Sequence, residues 1–230
     1  GLHVFSEKPL CMTPDEAREL ERLAQQVGVV HGVSFVYRQF AMVQQAASMV
    51  RRGSVGRLFA VQGSYLQDWM LLETDYNWRV DAKQGGNSRA VADIGSHWCD
   101  TVQFVTGKRI VEVMADLAIV WPVRKASIAS NATFGQQTAD LQFENKAVTT
   151  EDCGSVLVRF DDGSKGCFSV SQVSAGRKNH LSFEINGSQS SLHWDQETPQ
   201  QLWIGHRQQA NQILTDDPGL MNADVAASAH

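Results

Sequence analysis

Cysteine is scarce in this chain: four residues in 230, at Cys11, Cys99, Cys153 and Cys167. They form no CxxC pair and no zinc spacing, so a metal ribbon and a dithiol redox centre are excluded and no metal site is expected. Scattered thiols with no disulfide framework predict a reducing compartment, and the cytoplasm is the expected location. No apolar run approaches the length of a membrane span, so no membrane partner is expected. No basic head leads into an unbroken apolar stretch, so no signal peptide is visible. Blocks of one charge are also lacking. A net charge of −5 and a pI near 5.8 argue against the basic face of a nucleic-acid binder. There is no Gly-x-Ser-x-Gly, which leaves acyl transfer at a nucleophilic serine without support. Nor is there a G-x-G-x-x-G turn of the kind that receives a dinucleotide pyrophosphate. Internal repeats and low-complexity segments are absent.

What is present is an ample core, with 43% hydrophobic residues. Leu2 to Phe5 read as a short buried strand. Thr13-Pro14-Asp15-Glu16 then opens a helix, with Thr13 and Glu16 at the two positions of a capping box and Pro14 in the first turn. Ala17, Leu20, Leu23, Ala24 and Val27 recur at helical spacing, and Gly28 stops the helix. Residues 29–33 read as a second buried strand, with His31 a core histidine, which completes a βαβ unit with parallel strands. A helix is expected over about 41–52, a strand over 57–65 and a further helix over about 93–106. Residues 67–91 read as functional loops. From residue 110 the apolar period becomes two. Val111, Val113, Ala115 and Leu117 alternate with Glu112, Met114 and Asp116. Residues 122–150 read as polar and irregular. Strands follow at 155–160, 166–173, 181–185, 190–194 and 201–205, with Asp161-Asp162-Gly163 and Asn186-Gly187 as hairpin turns. The expected fold class is α+β in two parts. Residues 1–36 form the remnant of a doubly wound Rossmann domain. Residues 37–230 form an open, mostly antiparallel sheet with helices on one face, and the other face is expected to make a homodimer or homotetramer.

The sharpest chemical feature is Asp93-x-x-x-His97. On an α-helix the two share a face, one turn apart, and a carboxylate beside an imidazole can orient it and raise its basicity. The plain alternative is a solvated i,i+4 pair. In Glu7-Lys8-Pro9, the proline favours extended geometry at Lys8, at a strand's carboxyl end, which is where open α/β sheets bind ligands. An exposed lysine beside a turn reads equally well. Tyr37-Arg38 follows the next strand's end, and Arg38 could instead pair with a carboxylate. Trp78-Arg79, followed by Gly85-Gly86, could present a flat apolar surface and a donor to a planar ring or sugar, or Trp78 could plug the core. Tyr65, Gln67 and Trp69 suit polyol binding and are also ordinary sheet-edge residues.

In their order along the chain, Glu7-Lys8-Pro9, Tyr37-Arg38, Trp78-Arg79, the glycine pair, Asp93-x-x-x-His97 and Glu184-Ile185-Asn186-Gly187-Ser188 resemble the glucose–fructose oxidoreductase and inositol dehydrogenase (Gfo/Idh/MocA) family, from the first residue to about 200. The resemblance implies an NAD(P)-dependent oxidoreductase moving a hydride between a nicotinamide cofactor, NAD or NADP, and a secondary alcohol of a sugar, inositol or related polyol. Lys8, Asp93 and His97 would be catalytic. Glu7, Lys8, Pro9, Tyr37, Arg38, Trp78 and Arg79 would line the cofactor, and Tyr65, Gln67 and Trp69 the substrate. The alternative is a non-catalytic sensor or regulator with the same fold. In the family a stretch on the order of a hundred residues, holding the glycine-rich fingerprint, precedes Glu-Lys-Pro. The resemblance therefore implies a fragment that alone neither binds NAD(P) nor turns over. Asn87 stands where a third glycine is frequent.

Overall fold

The computed structural model describes residues 1–128 and 142–227. It opens on the expected βαβ unit. Strand β1 (Val4–Glu7), helix α1 (Pro14–Val27) and strand β2 (His31–Ser34) follow in order, and β1 and β2 pair in parallel with Val4 opposite His31. Both halves of the capping box form, and Gly28 closes α1 in the left-handed conformation at φ 67°. The unit is not buried as expected. No residue of α1 is buried, His31 is exposed, and Phe5 and Val30 are largely open to solvent. One helix and two short strands are too few to bury the apolar side chains of either layer.

A 3₁₀ turn, Val36–Gln39, leads to helix α2 (Ala41–Arg51) and strand β3 (Leu58–Leu66). The boundary expected at 36/37 falls inside that turn, and Tyr37 is already part of the main core. A 3₁₀ turn at Trp78–Val80 and a short helix α3 (Ala82–Gly85) interrupt the loops before helix α4 (Ser96–Thr106). Strand β4 (Ile110–Ala118) follows. The irregular reading of 122–150 is corrected in part, because β5 (Val123–Ser127) and β6 (Phe143–Ala147) pair antiparallel. Then come β7 (Cys153–Phe160), β8 (Lys165–Ser171), β9 (His180–Gly187), β10 (Ser191–Asp195), β11 (Gln201–Gly205), β12 (Gln212–Thr215) and a short helix α5 (Ala223–Ala226).

The main sheet has eight strands in the order β12-β11-β10-β9-β3-β8-β7-β4. Every neighbouring pair is antiparallel except β3 with β8, so the sheet is mixed. Helix α4 packs over β3 and β9, and α2 over β10 and β11. Between the layers lie Trp98, Phe168, Phe183 and Trp194. Helix α4 meets β4 at its first residue, where the Ile110 N–H donates to Gln103 Oε1 at 2.9 Å, but the rest of the strand is exposed, and this changes the reading of its alternation. Val113 and Ala115 stand opposite the buried Val158 and Val156, so they point to the helix side of the sheet, yet Val113 is 69% exposed. The open face receives Glu112, Met114 and Asp116 instead. Among the described residues no helix is long and apolar enough to cross a membrane.

Gly187 and Gly63 are among the glycines fixed by close approach. At Gly187 a Cβ would strike the backbone of Val55. Its φ is not left-handed, Asn186 already pairs with Ser191, and the hairpin turn falls beyond Asn186-Gly187. At Gly63 a Cβ would strike the Ser182 carbonyl and the Trp98 indole, whose Nε1 donates to that carbonyl at 3.1 Å. Gly63→Ala must push Trp98 or β9 away. Urea unfolding should show a lower midpoint at unchanged slope, with a loss of about 1–3 kcal/mol. An unchanged midpoint would mean that Trp98 is not seated against β3 as described.

Candidate functional site

The site begins where β1 ends. Lys8 follows β1 directly, and its Nζ donates to the backbone carbonyl of Asp93 at 2.6 Å and to the Asp93 carboxylate Oδ1 at 2.9 Å. The Lys8–Pro9 peptide bond is cis. Asp93 is not on an ordinary α-helix. Val91–Gly95 is a π-helical turn in which the Ser96 N–H donates to Val91 O, five residues back. The extra residue shifts the phase of the side chains ahead of α4, and the expected Asp93–His97 pairing does not form. Asp93 Oδ1 takes Lys8, with Arg79 Nε at 3.9 Å, and Oδ2 accepts from Gln172 Nε2 at 3.1 Å.

His97, on the first turn of α4, is 8% exposed and sits among aromatic rings. Its imidazole meets Tyr37 edge-on at 5.0 Å between centroids, Phe35 at 5.8 Å and Tyr65 at 6.1 Å. Its Nδ1 is buried without a hydrogen-bond partner. Burial, then the nearby Lys8 ammonium, push its pKa down to about 4, against the opposing pull of Asp93. The basicity expected from Asp93 is therefore outweighed, and the imidazole is neutral at pH 7.

A chain of hydrogen bonds runs outward from these rings. The Tyr37 and Tyr65 hydroxyls meet at 2.5 Å. Tyr65 donates to Asn179 Oδ1, Asn179 Nδ2 donates to the Tyr37 hydroxyl at 3.3 Å, and Gln67 Nε2 donates to Asn179 Oδ1 at 2.8 Å. Trp69 Nε1 donates to Gln67 Oε1 at 2.8 Å. Burial raises the pKa of both phenols. The structure thus brings Tyr37, Tyr65, Gln67, Trp69 and His97 together around Asn179. Sequence reasoning missed that residue because it lies in a polar stretch ahead of β9 with no motif around it.

The other expected residues are placed less closely. Arg38 forms a two-pronged pair with Asp100 of α4, one bond at 2.8 Å, and lies over Phe104, so it realises the pairing with a carboxylate left open from the sequence. Trp78 is half-exposed, with the Arg79 guanidinium 4.6 Å above its ring. Glu7 is exposed and pairs its backbone with Ser34. His180, Asp195 and Glu197 lie close enough to suggest a metal, but His180 Nε2 bonds Asp195 at 2.9 Å and Glu197 pairs with Arg177.

Beneath the site lies a buried ionic cluster. Asp152 Oδ1 accepts from Arg89 and, at 2.6 Å, from Arg124, and all three side chains are fully buried. Burial works against the Asp152 charge, but the guanidiniums outweigh it and hold its carboxyl below the ordinary range. Arg124 also donates to the carbonyls of Met70, Leu72 and Asp75, securing the loop after Trp69. Glu151 accepts from the Ser88 hydroxyl and the N–H groups of Arg89 and Val91, at the entry to the π-turn.

Comparisons with known proteins agree with this architecture. The GFO/IDH/MocA C-terminal domain matches residues 43–193. The chain belongs to the GFO/IDH/MocA family. It is 28% identical over 205 residues to the levoglucosan dehydrogenase of Pseudarthrobacter phenanthrenivorans, covering 89% of this chain and 52% of that protein. Its structure is similar to an oxidoreductase domain protein from Kribbella flavida, with TM-score 0.84, 31% identity, and coverage of 98% of this chain and 59% of that one. It is also similar to an inositol dehydrogenase homolog from Azotobacter vinelandii solved with NAD+, with TM-score 0.81, 26% identity, and coverage of 98% and 54%. The chain spans about half the length of the curated relatives it matches.

The state of His97 has a consequence for stability. An unfolded imidazole takes a proton near pH 6.5, while the folded one resists until about 4. Between those values the unfolded chain binds more protons, so stability is present above pH 6.5 and is lost as pH falls through this window, by on the order of 3 kcal/mol. Denaturant titrations of wild type and His97→Gln across pH 4–7 should show this acid-side loss in the wild type only. Parallel curves would place His97 in water.

Proposed function

We propose that the whole protein is an NAD(P)-dependent oxidoreductase that moves a hydride between the cofactor and a secondary alcohol of a sugar, inositol or related polyol. The observation that carries this is the Lys8–Asp93 pair set beside a buried, neutral His97 with an unpartnered ring nitrogen. One group can hold an alcohol oxygen and the other can take its proton. The relatives, a levoglucosan dehydrogenase and an inositol dehydrogenase homolog solved with NAD+, support the same class.

Lys8 donates a hydrogen bond to the reacting oxygen and balances the negative charge that develops there. His97 takes the hydroxyl proton on a ring nitrogen, and the rings around it exclude water from the transfer. Asp93 holds the Lys8 ammonium in place. Asn179, with Tyr65, Gln67 and Trp69, offers hydrogen bonds to the remaining hydroxyls, and Trp69 adds an apolar face for sugar carbons. The residues fit the nicotinamide end of a cofactor, because the half-exposed Trp78 ring with Arg79 above it offers a flat surface and a cation. In this reading Glu7, Lys8, Pro9 and Tyr37 complete that wall, and Arg38 supports it through Asp100. Bound NAD(P) supplies the hydride acceptor. The first 36 residues are read as part of a Rossmann domain, and the remainder as the substrate domain.

Self-association through the open sheet face belongs to the same proposal. That face holds an open hollow of about 710 Å³, on the far side of the sheet from His97 and lined by none of the site residues. Met114 and Leu157 lie side by side on it, and Gln62 and Glu184 occupy its middle. A second copy would cover these apolar side chains.

The test is absorbance at 340 nm with the whole protein, NAD and NADP, and a panel of sugars and inositols. Reduction of cofactor by at least one is expected. Lys8→Met should abolish it with cofactor binding retained, and His97→Ala should slow it about a hundred- to ten-thousandfold, with partial recovery at high pH. Turnover by Lys8→Met at the wild-type rate removes the assignment. Light scattering on the same sample should give a dimer or larger, and a monomer at high concentration would refute the sheet-face interface.

A further inference from the structure

Gln172 is fully buried at the end of β8, with no role in the core and no sequence signal around it. Its backbone is held on both sides, since its N–H donates to the Asp152 carbonyl at 3.0 Å and its carbonyl accepts from Met70 N–H at 3.0 Å. Its side chain has opposite partners at its two ends. Oε1 accepts from the Arg89 guanidinium at 3.1 Å, and Nε2 donates to Asp93 Oδ2 at 3.1 Å. A guanidinium only donates, so the Arg89 contact fixes which end of the amide is oxygen, and the donor end must face Asp93. Arg89 in turn is held by Asp152, with Thr150 Oγ1 at 3.4 Å. An unbroken series of polar contacts therefore leads from the buried ionic cluster to the carboxylate that grips Lys8.

We propose that Gln172 is a positioning residue for the site: oriented by the Arg89–Asp152 pair, it holds Asp93 Oδ2, so that Oδ1 stays on Lys8 instead of turning towards His97. The catalytic part of this rests on the dehydrogenase reading above, but the positioning part does not. Without the amide donor the carboxylate is free to rotate, Lys8 keeps only the Asp93 carbonyl, and Asp93 gains access to the imidazole. Arg89 and Asp152 act one step further back, through Gln172.

Two variants separate support from donation. Gln172→Met removes both contacts at similar volume. Gln172→Glu keeps the oxygen that meets Arg89 and replaces the donor with an acceptor, so it guards against loss of the fold. In the whole protein with a sugar it turns over, either variant should lower kcat about ten- to a hundredfold with KM within about twofold, since a hydrogen bond to a charged group is lost. In an Asp93→Ala background, where there is no carboxylate to position, the same changes should alter kcat less than about twofold. An equal loss in both backgrounds means a merely structural residue and overturns the proposal. A second readout needs no turnover. Lys8 should be acylated severalfold faster by an amine-reactive reagent in either variant than in the wild type, followed by mass spectrometry. If no sugar is oxidised by the wild type, the dehydrogenase reading fails and this labelling alone decides: faster labelling upholds the positioning, and equal rates overturn it.

Discussion

Asp152 between Arg89 and Arg124 is the constraint on which the site depends. A carboxylate and two guanidiniums out of water are costly unless each finds partners. Here each does, and the partners are distributed. Asp152 Oδ2 accepts from the N–H groups of Val120 and Trp121, and Arg124 holds three carbonyls of the loop after Trp69. Arg89 reaches Gln172, and through it Asp93. With Glu151 counted, the charges balance at two of each sign. The loop after Trp69, the edge of the sheet and the π-turn are therefore tied to a single buried point.

The π-turn is the second departure from plain geometry. An α-helical start would have put Asp93 and His97 on one stripe and left Lys8 to find another anion. The bulge instead gives Asp93 to Lys8 and leaves His97 neutral among Phe35, Tyr37 and Tyr65. A lysine-held carboxylate and a neutral imidazole thus lie close together without neutralising each other. Trp98, one residue on, fixes this end of α4 by seating its indole over Gly63 and bonding Ser182.

Much of the fold was legible because local signals and tertiary packing agree. Thr13, Glu16 and Gly28 bound α1, and the strands of the main sheet were marked by apolar alternation and turn residues, except β12, which was not read. The hairpin read at Asn186-Gly187 falls later, because Gly187 is a glycine for the sake of Val55 and not for a turn. The alternation in β4 gave a strand but not its faces, since pattern alone does not say how far the helix layer extends. Burial of the first 36 residues was overread for the same reason. At the site, Lys8, His97 and the Tyr65–Trp69 group were visible as residue types at loop and strand ends. Asn179, Gln172, Arg89 and Asp152 were not. They are separated by 28 to 142 residues from the groups they hold, and nothing in the neighbouring sequence distinguishes a buried, paired arginine or glutamine from a solvated one.

At the heart of the site a neutral imidazole stands beside a carboxylate committed to lysine. The most direct measurement is the ring ¹⁵N spectrum of His97 in histidine-labelled protein, assigned by comparison with His97→Gln and followed from pH 8 to 4.5. The account predicts neutral-tautomer shifts throughout pH 8 to 5, across the range where an ordinary imidazole gains its proton. Imidazolium shifts for His97 at pH 7 would mean that Asp93 pairs with it after all, and would contradict the account.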